Sequence, residues 1–142
     1  SEVPEEEKET EEIIGEESED LWTKAELRSY LKDTTPYQRV LLSALTQVDK
    51  EPSTRKAVTF LMNEIVKRRQ SEGIDKKITG REIAGARAGL KMRRKPLGKE
   101  DIIESSWSPS ERDQVYNIKE DYKAIVSDWV REENLWIKDE LG

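Results

Sequence analysis

Arg68, Arg69, Arg81, Arg87, Lys91, Arg93, Arg94, Lys95 and Lys99 are the residues of this chain whose type and spacing suggest a chemistry. Lys offers a compact charge and Arg a planar fork of donors, both suited to the oxygens of a phosphodiester backbone. Trp107, which follows the basic stretch, is the candidate for stacking on a base. A second set, Leu135, Trp136 and Ile137, is an apolar triplet near the C-terminus that would suit a partner's groove or a second copy of the chain. Catalytic sets are poorer. With no His and no Cys, imidazole acid-base chemistry, thiol nucleophiles and Cys/His zinc sites have no residues to work with. Glu100 and Asp101 are the one candidate pair for Mg2+, and adjacent acids on a helix point in different directions. Gly80, Gly85, Gly89 and Gly98 have the spacing of neither phosphate-binding glycine loop. The expectation is a non-enzyme without metal or cofactor.

Charge is segregated along the chain. Residues 1–20 carry eleven acids and one base, whereas residues 50–99 carry fifteen bases against five acids. Residues 100–142 return to acid, with twelve against five bases, and the whole has a net charge of −6. That average hides a central block at +10, which can serve as an electrostatic footprint for phosphates if it folds onto one face. Residues 1–20 repel one another and have little to bury, so they read as a disordered acidic tail ahead of a single helical domain over residues 21–142. Such a tail can solubilise, or it can compete with nucleic acid for the basic block. Ile13 and Ile14 within it also read as a short docking motif. No apolar run is long enough to span a membrane, and the start is glutamate-rich rather than basic and apolar, so an intracellular location, cytoplasm or nucleoid, is expected.

The elements that must position these residues are marked by helix caps. A Thr followed three residues later by Glu or Gln can satisfy two orphan backbone N–H groups reciprocally. Thr23 with Glu26 predicts a helix to about Asp33, and Thr35 with Pro36 and Gln38 predicts another to about Val48. A third opens at Pro52 and Ser53, buries Ala57, Val58, Leu61 and Ile65, and ends in Lys67, Arg68 and Arg69 before Gly73. Thr79 with Glu82 predicts a short helix through Ile83 and Ala84, closed by Gly89 in the left-handed conformation. Pro96 and Gly98 predict a loop or broken turn from Lys91 to Lys99, after which Asp101 to Ile103 resume a short helical piece. The last third reads two ways. Ser108, Pro109 and Glu111 can start one helix over about 109–138, on which Val115, Ile118, Tyr122, Ile125 and Trp129 make a single stripe; this is the favoured reading. In the other, Ser105–Trp107 and Gln114–Ile118 are two strands of a hairpin and the last helix starts near Lys119. The fold class is therefore mainly α: a compact bundle of five to six helices, with a winged form carrying a small β-hairpin at about 105–118 as the alternative.

The segment from Ile78 to Leu90, Ile-Thr-Gly-Arg-Glu-Ile-Ala-Gly-Ala-Arg-Ala-Gly-Leu, resembles the first half of a helix-turn-helix unit: a capped helix with an Ile-Ala pair and then a Gly-Leu turn. Extended over residues 54–130, the order of elements resembles a winged helix-turn-helix domain. That resemblance implies a recognition helix after the turn, where Pro96 and Gly98 lie and where Glu100, Asp101 and Glu104 have the wrong sign for phosphates. The basic stretch from Lys91 to Lys99, with Arg81 and Arg87, is then the expected contact with DNA or RNA, by positioning on phosphates more than by reading bases. A protein-interaction module, docking its basic face on an acidic partner or its C-terminal helix in a groove, is the second expectation. Nothing in the sequence sets the oligomeric state.

Overall fold

The computed structural model describes residues 19–141, and the acidic run before Glu19 lies outside the described residues. Among the described residues five α-helices and a small three-stranded antiparallel sheet follow one another as α1 (Lys24–Lys32), α2 (Pro36–Thr46), β1 (Ser53–Thr54), α3 (Arg55–Arg68), α4 (Gly80–Arg94), β2 (Ile103–Ser108), β3 (Asp113–Ile118) and α5 (Glu120–Glu132). The chain is mainly helical, as its composition and caps predict. Reciprocal capping boxes at Thr23/Glu26, Thr35/Gln38 and Thr79/Glu82 start α1, α2 and α4. The third helix is capped by Thr54, whose hydroxyl accepts from the Ala57 N–H. Ser53 and Thr54 belong to β1 instead of the helix.

Each apolar face turns into one core. Leu27 and Leu31 of α1, Leu41 and Leu45 of α2, Met62 and Ile65 of α3, Ile83 and Leu90 of α4, and Val126 and Trp129 of α5 all belong to it. Within the sheet the order is β1-β3-β2, so β3 is central and β2 is an edge. Ser53 pairs with Tyr116, and the hairpin pairs Ile103 with Ile118 through to Ser108 with Asp113.

Four local expectations are corrected. Gly89 does not end a helix, because α4 continues through it to Arg94. Gly98 is the left-handed residue (φ 69°), placed after a single 3-10 turn over Lys95–Leu97. Lys91, Arg93 and Arg94 are thus the last turn of α4, where positive charge suits the helix dipole. Asp101 to Ile103 are not helical; Asp101 accepts the Ile103 N–H at 2.9 Å and β2 begins. The single helix over 109–138 is also absent, and the hairpin reading describes the chain, with α5 starting at Glu120. The misleading helix signal has a physical origin. Ser108 Oγ does accept the Glu111 N–H at 3.4 Å, as an N-cap would, but Arg112 then adopts φ 52° and turns the chain into β3. The apolar stripe arises because a central strand buries Val115, Tyr116 and Ile118 together.

Candidate nucleic-acid interface

Helix α4 sorts its side chains by period. Ile83, Ala86 and Leu90 are buried, while Arg81, Ala84, Gly85, Ala88, Lys91, Met92 and Lys95 are exposed at steps of three and four along one outer stripe. The stripe is basic at both ends and small in the middle. From residue 81 to residue 95 it is about 21 Å long at 1.5 Å per residue.

The basic residues divide sharply between this face and the protein's own structure. Arg87 donates to Ser105 Oγ at 2.8 Å and to Asp101 at 3.3 Å, and lies over the Tyr116 ring. Arg93 stacks on Tyr30 with its guanidinium carbon 4.4 Å from the ring centroid and donates to the Tyr30 carbonyl at 3.0 Å. Arg94 donates to the Lys99 carbonyl and stands 3.8 Å from Asp101. Lys99 binds the carbonyls of Glu19 and Leu21 and pairs with Glu26. Arg68 pairs with Glu64 and Glu140. Arg69 donates to the Asn134 and Trp136 carbonyls, both at 2.9 Å, and to Glu140. Six of the nine nominated cations are therefore engaged intramolecularly, leaving Arg81, Lys91 and Lys95 without a side-chain partner among the described residues.

Sequence reasoning passed over Lys76 and Lys77, which are exposed on the connection into α4 and likewise unpaired among the described residues. Their signal was position: two cations just ahead of an N-cap, on a segment with no helical pattern to commit them elsewhere. Glu82, the acid at this end, is held below the usual carboxylate range by hydrogen bonds from the Thr79 hydroxyl and backbone N–H, so its charge serves the cap.

Three ties fix α4 against the hairpin. Arg94 and Arg87 reach Asp101 just before β2, and Arg87 reaches Ser105 within it. At the other end Gly80 lies against the Arg55 side chain, which pairs at 3.5 Å with Asp113, the residue opposite Ser108. The helix and the edge strand therefore run antiparallel, with Trp107 at the level of the N-terminal half of α4. Trp107 shares a strand face with Ser105 and is 56% exposed.

The C-terminal triplet is different from its expectation. Leu135 and Ile137 are fully buried, and Trp136 is half-buried beneath Arg131, whose guanidinium carbon is 3.8 Å from its ring centroid. Leu135 and Ile137 belong to the core and present no face to a groove, and Trp136 packs against that core. Glu100 and Asp101 also separate: Glu100 accepts from Lys119 at 2.8 Å and from the Tyr122 hydroxyl, whereas Asp101 faces Arg87 and Arg94. Among the described residues no cluster of three carboxylates is arranged to hold a metal ion, and no helix is long and apolar enough to cross a membrane. Comparison with protein-family models, with curated proteins and with solved structures finds no match to this chain.

Proposed function

We propose that this chain is a non-catalytic nucleic-acid-binding domain that seats the outer face of α4 on the phosphates of a duplex. The observation that carries the reading is the division of cations on α4: its inward and lateral arginines are committed to the fold, while Arg81, Lys91 and Lys95 flank an exposed run of Ala84, Gly85 and Ala88. Small side chains let a helix approach a groove closely, and unpaired cations at both ends meet the backbone on either side. Ala and Gly carry no side-chain donors, so the contact positions the protein more than it reads sequence. Helix α4 runs unbroken through the Gly-Leu step that the resemblance takes as a turn, so Ile78–Leu90 is not the first half of a helix-turn-helix unit; a winged arrangement would rest on element order alone, with α4 in the role of the second helix and β2–β3 as the wing.

The acidic residues at the start of the chain act as an internal competitor in this reading. The described chain begins at Glu19, whose carbonyl is held by Lys99, four residues beyond Lys95. Glu5, Glu6, Glu7, Glu9, Glu11 and Glu12 then compete with phosphates for the same cations.

The test is titration of labelled duplex with the full chain at several salt concentrations, beside the triple variant Arg81→Ala, Lys91→Ala, Lys95→Ala and a full-length variant with those six glutamates changed to Gln. Steep salt dependence, a slope reduced by about one for each phosphate contact removed, and tighter binding by the Gln variant are expected. Salt-independent or absent binding rejects the reading, and the basic face is then assigned to an acidic protein partner.

A further inference from the structure

Helix α3 has an outward stripe that neither the core nor the α4 face uses. Val58, Leu61, Met62 and Ile65 turn inward, and Lys56, Thr59, Phe60, Asn63 and Lys67 turn outward. Phe60 is the chain's single Phe, and it stands 61% exposed. In a chain only 34% hydrophobic, leaving most of an aromatic ring out of the core forgoes apolar burial that the fold could use.

The polar groups around Phe60 are already satisfied. Thr59 donates to the Arg55 carbonyl at 2.7 Å. The Asn63 amide donates to the carbonyls of Thr59 and Ile78 and accepts the Ile78 N–H at 2.8 Å. Glu64 is paired with Arg68 at 3.3 Å. Among the described residues the unengaged groups of this surface are therefore the ring and the ammonium groups of Lys56, Lys67 and Lys77, which line the same shallow hollow as Phe60. Lys56 and Lys67 are rooted about 16 Å apart along the helix, with Phe60 between them.

We infer that this stripe is a single-strand site: phosphates of a few extended nucleotides lie along Lys56, Lys67 and Lys77, and one base stacks on Phe60. The charge is complementary to a polyanion. The ring selects a single strand, because a base paired in a duplex has its faces covered by its neighbours, whereas an unpaired base offers a face of any sequence. The Asn63 bridge to Ile78 ties this stripe to the segment that leads into α4, and Lys77 lines the hollow from that segment. Taken with the proposed duplex contact, on which this part rests, the preferred ligand is a duplex that continues into a single-stranded overhang.

The experiment compares blunt duplex, the same duplex with a thymidine overhang, and the overhang strand alone, each titrated with the full chain. The overhang is expected to tighten binding about tenfold over blunt duplex, within the range for one stacked base. Phe60→Ala should remove that increment and leave blunt-duplex affinity unchanged, Phe60→Trp should keep it, and Lys56→Gln with Lys67→Gln and Lys77→Gln should lower both the increment and its salt slope. Melting curves of the variants exclude unfolding as the cause. Equal affinity for blunt and overhang ligands overturns the single-strand site and leaves the duplex reading intact. Overhang-strand binding that depends on Phe60, without blunt-duplex binding, supports the site and rejects the α4 reading. Absence of binding to any polynucleotide overturns both and assigns the stripe to an acidic peptide.

Discussion

The side-chain amide of Gln38 lies so close over Gly89 that a Cβ at residue 89 would fall within 3.0 Å of its Nε2. Gln38 is buried, and its Oε1 is fixed by the Thr35 N–H at 3.0 Å as half of the α2 capping box. The cap that starts one helix thus sets how closely another packs on it. Gly85, one turn earlier on α4, has nothing within 4 Å of the same atom.

A pair of substitutions separates these two glycines. Gly85→Ala should stabilise the protein by about 0.5–1 kcal/mol through lost unfolded-state freedom and helix propensity, raising Tm by about 2–4 °C. Gly89→Ala gains the same propensity but must displace Gln38 or the whole helix, which costs about 1–3 kcal/mol. Its Tm should fall. Thermal melts of the two variants side by side decide this, and a rise in both would mean that Gln38 moves aside freely.

Arg93 gives the second test, because its position in a basic run suggests a phosphate contact and its geometry does not. Its guanidinium stacks on Tyr30 and bonds the Tyr30 carbonyl, and Tyr30 in turn donates to the Leu90 carbonyl at 2.5 Å. Arg93→Ala should cost about 1–3 kcal/mol, summing a charged hydrogen bond and a cation–π contact. Arg93→Lys should recover little, since an ammonium cannot reproduce the planar stack. Duplex affinity of the still-folded variant should match that of the wild type. A loss of affinity with an unchanged Tm would instead make Arg93 a ligand contact.

Local rules carried the sequence reading where the deciding interaction is local. Three capping boxes were readable because both partners lie within four residues. Gly89 was not, because its reason for being glycine is Gln38, some fifty positions away and on another helix. The hairpin was obscured by Ser108, which makes a cap-like hydrogen bond in a turn, and by Lys119, which begins α5 with no side-chain cap at all. The basic block was legible as a block. Which of its members remain available was decided by Asp101, Tyr30, Glu26 and Glu140, partners that no spacing rule connects to it.

Stability should fall above pH 10. Burial raises the hydroxyl of Tyr30 to about 12 against the opposing pull of Arg93 and Arg94, and burial together with the Glu100 hydrogen bond raises Tyr122 to about 12. Both start from 10.0 in the unfolded chain. Between these values the unfolded state loses protons that the folded state keeps, so the stability present below pH 10 declines as pH rises towards 12. The acid limb has the opposite sign. Burial raises Glu100, but hydrogen bonds from Lys119 and Tyr122 outweigh it and hold the carboxyl below its ordinary value of 4.5. Its contribution is present above about pH 4.5 and is lost as pH falls through the lowered value. Denaturant unfolding across pH, with phenolate absorbance followed in parallel, checks both limbs; Tyr30 and Tyr122 should resist ionisation until the protein unfolds.

Gln47 holds the last segment of the chain. Its Nε2 donates to the Ser43 carbonyl at 3.0 Å and the Leu135 carbonyl at 3.1 Å, and its Oε1 accepts the N–H groups of Ile137 at 2.6 Å and Lys138 at 3.0 Å. The side chain is 1% exposed, so water cannot replace these bonds. Gln47→Leu keeps the volume but leaves the Ile137 N–H buried without a partner, at about 1–3 kcal/mol, and leaves the Leu135 carbonyl with the Ser43 hydroxyl, which donates to it at 3.1 Å. A loss of about 1–3 kcal/mol is expected, with Leu135 and Ile137 loosened from the core and Trp136 fluorescence changing first. Gln47→Glu distinguishes donor from acceptor. A carboxylate can still accept both N–H groups, yet it turns a negative charge on the carbonyls of Ser43 and Leu135, whereas the protonated acid can donate to one of them. The Glu variant should therefore be markedly destabilised at neutral pH and recover relative to wild type as pH is lowered. Equal loss at both pH values would show that shape, rather than the donor, is what position 47 supplies.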